Sequence, residues 1–283
     1  MPQKSRRAIE WPGNYGPFQN MREFAFLNQS CILRRGRRLS LMSRKDTLFE
    51  QQIIEPGDFV FDQRVVGVFP DMINRSVPGY GLIIPMIGLL AQRYAQAGST
   101  IYDLGCSLGA ASLAMRQAVG REDVTVVAVD NSPQMISGFR QLLAGHCDGT
   151  AIEIVEGDIR ETEIDDASVV VLNFTLQFVD PADRPSLLRG IVAGLRPGGV
   201  LILSEKICFE DPLEQRRQKE WHHEFKRAQG YSELEISRKR DSLEDVLIPE
   251  TAAEHIAQLR QAGFSEAYQW YQGFSFASFL AIR

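Results

Sequence analysis

From Thr100 onward the chain alternates between two textures. Short apolar, β-branched runs occur at Thr100 to Leu104, Val124 to Val129, Ile152 to Glu156, Val169 to Leu172 and Val200 to Ser204. Between them, near Leu108 to Val119, Pro133 to Ala144 and Pro181 to Leu195, apolar residues recur at helical spacing. Strand and helix in this alternation predict an α/β fold, a mostly parallel sheet joined by crossover helices on both faces. Most of the runs are apolar at nearly every position, as strands covered on both sides require. The end of the chain reads differently: Glu266 to Tyr271 and Phe274 to Ile282 are two strands with a turn at Gln272-Gly273, bringing the sheet to seven strands.

The flanks are helical in pattern. Residues 46–98 predict a helical cap, in which Phe61 to Ile73 leads into a tight turn at Pro78-Gly79-Tyr80 and a helix follows from Ile83 to Ala97. A charged helical insertion spans 206–245, and another helix lies near Thr251 to Ala262. Residues 1–45 mix Pro, Gly, Asn and Arg without a period and predict a basic, disordered leader, with Met42 a second candidate start. The domain reading is therefore a leader over 1–45 and one ligand-binding domain over 46–283.

Charge sharpens this division. The net charge is −5, but the leader carries ten Lys or Arg against Glu10 and Glu23, which leaves the remainder strongly acidic. Such a body is a poor non-specific binder of nucleic acid. The longest apolar stretches fall short of the roughly eighteen residues of a membrane span, and no apolar segment follows the charged start. A cytoplasmic location is expected. Cys31, Cys106, Cys147 and Cys208 form no C-x-x-C pair, so neither a zinc ribbon nor a dithiol site is expected. The pair His222-His223 points about 100° apart on a helix and lacks a third ligand nearby, so no metal site is expected.

The candidate chemistry sits at the strand ends. Asp103-Leu104-Gly105-Cys106-Ser107-Leu108-Gly109 closes the first strand and opens a helix, with glycines that admit a ligand close to the backbone and helix-terminal amides that face it. The second strand ends in Asp130-Asn131, about twenty positions on, where an acidic residue can accept both hydroxyls of an adenosine ribose. The third ends in Asp158-Ile159, a carboxylate for an adenine amino group beside an apolar side chain for its face. Asn173-Phe174 ends the fourth. Polar groups on four successive strand ends mark the carboxyl edge where open α/β sheets bind ligands.

Two other readings share these residues. A nicotinamide dehydrogenase prefers G-x-G-x-x-G, and the carboxylate of Asp103 two residues before the first glycine better suits the ammonium and sulfonium end of S-adenosylmethionine. A hydrolase would use Ser107 as the nucleophile of G-x-S-x-G. It lacks a glycine-rich oxyanion loop, and His255, the late histidine, falls in an amphipathic helix pattern that predicts a surface position. The residues alone leave open a conventional small-molecule methyltransferase and a non-catalytic S-adenosylmethionine-binding scaffold. The fourth strand end, Asn173-Phe174-Thr175-Leu176, lacks the N-P-P-Y type of signature of nucleobase amino-methyltransferases.

The flanking segments are more specific. Val68 to Ile73, Arg75 to Tyr80, Tyr102 to Gly109, Asn173 to Phe178 and Gly230 to Ser237 closely resemble the carboxy-S-adenosyl-L-methionine synthase family, within the S-adenosylmethionine-dependent methyltransferase superfamily, from about Asp46 to the C-terminus. The resemblance implies a Rossmann-like fold and a homodimer. It implies conversion of S-adenosylmethionine and prephenate to carboxy-S-adenosylmethionine, phenylpyruvate and water. It implies that the product passes to a separate enzyme that builds the wobble-uridine 5-oxyacetic acid of tRNA, so that this chain need not bind tRNA. Carried over by position, the ligand-contacting residues are Tyr80, Gly105, Cys106, Ser107, Asp130, Asn131, Asp158, Ile159, Asn173 and Arg240. A guanidinium at Arg240 would fork onto a carboxylate that ordinary methyl donors lack.

The chemistry implied asks little of side chains as bases. Prephenate loses carbon dioxide and hydroxide as its ring aromatises, the hydroxide takes a methyl proton, and the sulfonium ylide captures the carbon dioxide. The protein orients, stabilises charge and excludes water. Prephenate carries two carboxylates, for which Arg240 and Tyr80, then His222, His223, Lys226 and Arg227, are the candidate contacts.

Overall fold

The computed structural model describes residues 63–144, 149–237 and 246–283. All of them belong to one unit, Leu41–Arg283. The leader, the first part of the cap, Cys31, Cys147 and Arg240 lie outside the described residues.

Two helices precede the sheet, α1 (Gln63–Ser76) and α2 (Tyr80–Tyr94). The turn between them is the expected Pro78-Gly79, and Gly79, at φ 76°, lets α2 begin at Tyr80, three residues before the apolar pattern does. The alternation then follows as β1 (Thr100–Leu104), α3 (Ala110–Val119), β2 (Thr125–Asp130), α4 (Pro133–Leu143), β3 (Ala151–Glu156), β4 (Ala167–Asn173), a 3-10 turn (Leu176–Phe178), α5 (Arg184–Gly194) and β5 (Leu195–Cys208). The insertion contributes α6 (Pro212–Ala228) and a helical turn over 233–237. A two-residue β6 (Glu250–Thr251), α7 (Ala252–Ala262), β7 (Glu266–Gly273) and β8 (Phe276–Ile282) complete the chain.

The strands lie in the order β3-β2-β1-β4-β5-β8-β7, with β6 beside the end of β5. All neighbours are parallel except β8, which runs antiparallel to both β5 and β7. Two apolar layers cover the sheet. On one face Ile83, Ile87 and Ala91 of α2 and Met115 of α3 pack on Ile101, Val169 and Ile202. On the other, Leu187 and Ile191 of α5 and Leu259 of α7 pack on Leu172, Leu201 and Phe279. Each buried Leu, Ile, Val, Met or Phe side chain of these layers contributes about 1.5–3 kcal/mol.

Three expectations change. The strand pair at the end of the chain turns at Phe274-Ser275, two residues later than expected, with Phe274 at φ 51°. Gly273 is not the turn but a gap filled by Tyr271, whose hydroxyl crosses it to donate to the Pro78 carbonyl at 2.8 Å. β5 is much longer than its apolar core, because β8 pairs along it as far as Lys206↔Phe276. His255 is buried rather than on the surface: it shares the inward stripe of α7 with Leu259, its ring 5.4 Å from Phe279. Burial pushes that imidazole down to about 4, so it is neutral in the core.

Candidate functional site

The Gly-rich loop is stapled to the second strand. The amides of Gly105 and Cys106 both donate to the Val129 carbonyl, at 2.8 and 2.9 Å. The Ser107 amide donates to Asp130 Oδ2 at 2.8 Å, and Asp130 Oδ1 accepts the Ser132 amide at 2.9 Å. Ser107 itself stands at φ 50°, a left-handed conformation costing about 1–3 kcal/mol and typical of functional turns. Its hydroxyl meets the Met135 sulfur at 3.4 Å, while His255 lies in the layer on the opposite face of the sheet. Ser107 and His255 are therefore not assembled as a nucleophile and its base. Gly109, at φ 79°, opens α3, and a Cβ there would stand 2.1 Å from the Phe139 ring.

Beneath this loop lies a concentration of negative potential. Asp103 is buried and accepts the Ser112 hydroxyl at 2.5 Å. Burial, helped by the charge of Asp130, outweighs that bond and lifts its carboxyl to about 6. Burial also raises Asp130, against the two amides it accepts. The phenol of Tyr80 is pushed well above its ordinary value by burial and then by the charge of Asp103.

The other strand ends complete the edge. The Gly157 amide donates to the Asp130 carbonyl at 3.0 Å, tying the third strand end to the second. Asp158 accepts the Arg160 amide at 2.8 Å and pairs with its guanidinium at 2.6 Å, which holds the carboxyl below its usual range. Ile159 is buried beside it. At the fourth end, Phe174 adopts φ 61°, and its ring stands 6.4 Å from Tyr80 and 6.0 Å, edge-on, from Phe276. The preceding Asn173 has a buried side-chain oxygen with no hydrogen-bond partner among the described residues. A buried unsatisfied acceptor costs about 1–3 kcal/mol, so this oxygen is free to take a donor from a bound ligand.

The loop after Asn173 is locked from the other side. Glu205 is buried and takes the Leu176 amide at 2.9 Å and the Gln177 amide at 3.0 Å, while burial lifts its carboxyl to about 8. Arg184, with no exposed surface, donates to the carbonyls of Val179 at 3.0 Å and Ile248 at 2.8 Å and pairs with Glu250 at 2.6 Å. One guanidinium thus joins the strand-end loop to the segment returning from the insertion.

Comparison with known proteins settles the family. Residues 101–199 match a family model described as a methyltransferase domain. Proteins named carboxy-S-adenosyl-L-methionine synthase match at 57% identity in Geobacter sp. strain M21, over 86% of this chain and 100% of theirs, and at 50% in Klebsiella pneumoniae, over 86% and 98%. The chain belongs to the carboxy-S-adenosyl-L-methionine synthase family. It is a transferase with a methyltransferase fold, and solved structures agree on that fold: an O-methyltransferase family protein from Burkholderia thailandensis superposes with a TM-score of 0.57 at 18% identity, over 79% of this chain and 60% of that one. No helix of the described residues is long and apolar enough to cross a membrane.

The groups present fit the ligand that a carboxy-S-adenosyl-L-methionine synthase requires. Each Asp130 oxygen spends one lone pair on a loop amide and keeps another for a ribose hydroxyl. The buried Asn173 oxygen accepts no bond among the described residues, and the ligand's ammonium is a donor that could fill it. The buried carboxyl of Asp103 puts negative potential behind the loop, where a sulfonium gains from it.

Of the positions carried over from the resemblance, Tyr80, Gly105 to Ser107, Asp130, Asn131, Asp158, Ile159 and Asn173 lie on or beside this one edge, and Arg240 is outside the described residues. Cys106 packs its thiol among Ile136 and Phe139, and burial raises it far above its ordinary value. The cation candidates separate. His222 is buried and donates Nε2–H to the Ser76 carbonyl at 2.8 Å, and burial, with Lys226 nearby, pushes it down to about 3, so it is a neutral wall rather than a cation. Arg227 pairs with Glu233. Sequence reasoning missed Glu205, Lys206 and Phe276, which are brought to this end of the sheet by the pairing of β5 with β8.

Proposed function

We propose that this protein makes carboxy-S-adenosyl-L-methionine from S-adenosylmethionine and prephenate, releasing phenylpyruvate and water. The full-length likeness to relatives of that name, at 50–57% identity, carries the reading. The geometry supports it. Asp130 binds the ribose, Asp158 and Ile159 the adenine, and Asn173 the ammonium. The aromatic wall of Tyr80, Phe174 and Phe276 shields the methyl carbon from water, which would quench an ylide. Prephenate supplies carbon dioxide and hydroxide: the hydroxide leaves as water with the methyl proton, and the new carbon–carbon bond joins the methyl carbon to carbon dioxide. Arg240 clasps the carboxylate so formed, and its replacement by Ala weakens the product far more than S-adenosylmethionine. The enzyme works as a cytoplasmic homodimer and supplies a separate tRNA-modifying enzyme without holding tRNA.

Mass spectrometry of the ligand that co-purifies, and of the product formed with and without prephenate, tests this. A nucleoside heavier than S-adenosylmethionine by one carbon dioxide, formed only with prephenate, is expected. Accumulation of S-adenosylhomocysteine with a methylated acceptor would replace the reading with conventional methyl transfer.

A further inference from the structure

β5 does not stop where its parallel neighbour does. β4 ends at Asn173, opposite Ser204, and β5 continues four residues further, Glu205 and Lys206 held by β8 and Ile207 and Cys208 by β6. The extension alternates between the two faces of the sheet. Glu205 turns toward the layer that contains Arg184 and fixes the 3-10 turn. Lys206 turns the other way, toward the layer that contains Tyr80 and Phe174, and stands directly opposite Phe276. Opposed side chains on antiparallel strands have Cβ atoms about 4.5–5.5 Å apart. The Lys206 stem therefore lies against the Phe276 ring, which is 4.9 Å from His222 and 6.0 Å from Phe174, itself 6.4 Å from Tyr80.

This lysine is unusual in what it lacks. Its backbone amide donates to Gln177 Oε1 at 2.9 Å, yet its ammonium makes no ion pair or hydrogen bond among the described residues. It is half-buried, and the charged neighbour it feels is another cation, Lys219 of α6. His222, on the same face of α6, is close enough to sense the Lys206 charge and stays neutral. Half-buried ammonium groups without a counter-ion are costly, and burial with the charge of Lys219 lowers this one below an ordinary lysine. An anion placed between Lys206, Lys219 and the aromatic wall would supply the missing counter-ion and offset the repulsion between the two ammonium groups.

We propose that Lys206 is a carboxylate-binding residue for the second substrate, holding one carboxylate of a dianion whose ring packs on Phe276 and Phe174. It rests on the reading that the second substrate is a dicarboxylate. It adds the residue that selects it: the ammonium at the end of β5 receives the anion on the side opposite the adenosine, and His222 forms an uncharged wall that leaves the anion to the lysines.

The test is steady-state kinetics of Lys206→Met and Lys206→Arg with prephenate, beside S-adenosylmethionine binding by calorimetry. A charge-assisted hydrogen bond is worth about 10- to 100-fold. KM for prephenate is expected to rise by that factor in Lys206→Met and to recover mostly in Lys206→Arg, while affinity for S-adenosylmethionine changes less than about threefold. Unchanged KM, or an equal loss for both substrates, overturns the assignment. Acetylation footprinting of the wild-type protein reads the same residue without a variant: Lys206 is expected to react quickly and to be protected by prephenate but not by chloride at equal ionic strength. Equal rates with and without prephenate remove the subsite. A wild-type enzyme that yields S-adenosylhomocysteine instead sinks the proposed function, and Lys206 is then judged on the footprint alone.

Discussion

Gly109 shows how narrowly a single position can be set. It opens α3 with φ 79°, and the Phe139 ring fills the space a Cβ would take. Replacement by Ala adds a left-handed penalty of about 1–2 kcal/mol to an overpacking cost of about 1–3 kcal/mol. We expect Gly109→Ala to lose about 2–5 kcal/mol in urea unfolding and Phe139→Leu in the same chain to restore part of it. A loss under about 0.5 kcal/mol would mean that the loop is not held as described. The strand-end residues around it were legible in the sequence because their signal is local: a glycine pair, then an acid about twenty residues on, then two further polar strand ends. Lys206 and Glu205 carry no such signal. In the chain they read as an ordinary charged pair after an apolar run, and only the pairing of β5 with β8, some seventy residues later, decides that one faces the layer of Tyr80 and Phe174 and the other Arg184. His255 misled for the opposite reason, a polar residue on a stripe that turns inward with Leu259.

At the scale of elements, the alternation of strands and helices was readable because β-branched runs and helical spacing repeat with short connections. The extent of β5 and the position of the last turn were not, since both depend on register against β8 rather than on any run of residues. The tie between the insertion and the site is also invisible in the chain. Arg184 stitches the loop after β4 to the segment at Ile248 and Glu250. Breaking a buried pair by removing one partner leaves the other charge uncompensated and costs about 3–5 kcal/mol. We expect Arg184→Met to lose about that much stability and Glu250→Gln, which keeps an acceptor for the guanidinium, clearly less. Chemical denaturation of the two variants checks the order, and equal losses would place the stabilisation in the ion pair's charge rather than in the guanidinium's hydrogen bonds.

For the whole molecule, buried titrating groups set a stability window. His222 and His255 are lowered to about 3 and about 4, so their contribution is complete above about 6.5 and is lost as pH falls through those values. Glu205 is raised to about 8, so its contribution is complete below about 4.5 and is lost as pH rises toward 8. Of these three groups only the Glu205 carboxyl acts between pH 6.5 and 8, and it should lower stability with rising pH by up to about 1.4 kcal/mol per unit. Urea midpoints at pH 6.5 and 8 measure this slope, and Glu205→Gln should flatten it. A slope unchanged in that variant would show that Glu205 ionises normally in the fold.

The antiparallel strand has a further meaning for biosynthesis. β5 leaves the ribosome some seventy residues before its second partner, Phe276–Ile282. Until then the growing protein displays a bare row of amides and carbonyls along an apolar strand, the kind of template on which nascent chains stick to one another. A synthesis pause in the roughly seventy codons between the two strands would prolong that exposure, so the speed of translation through the insertion bears directly on how much of the product escapes aggregation.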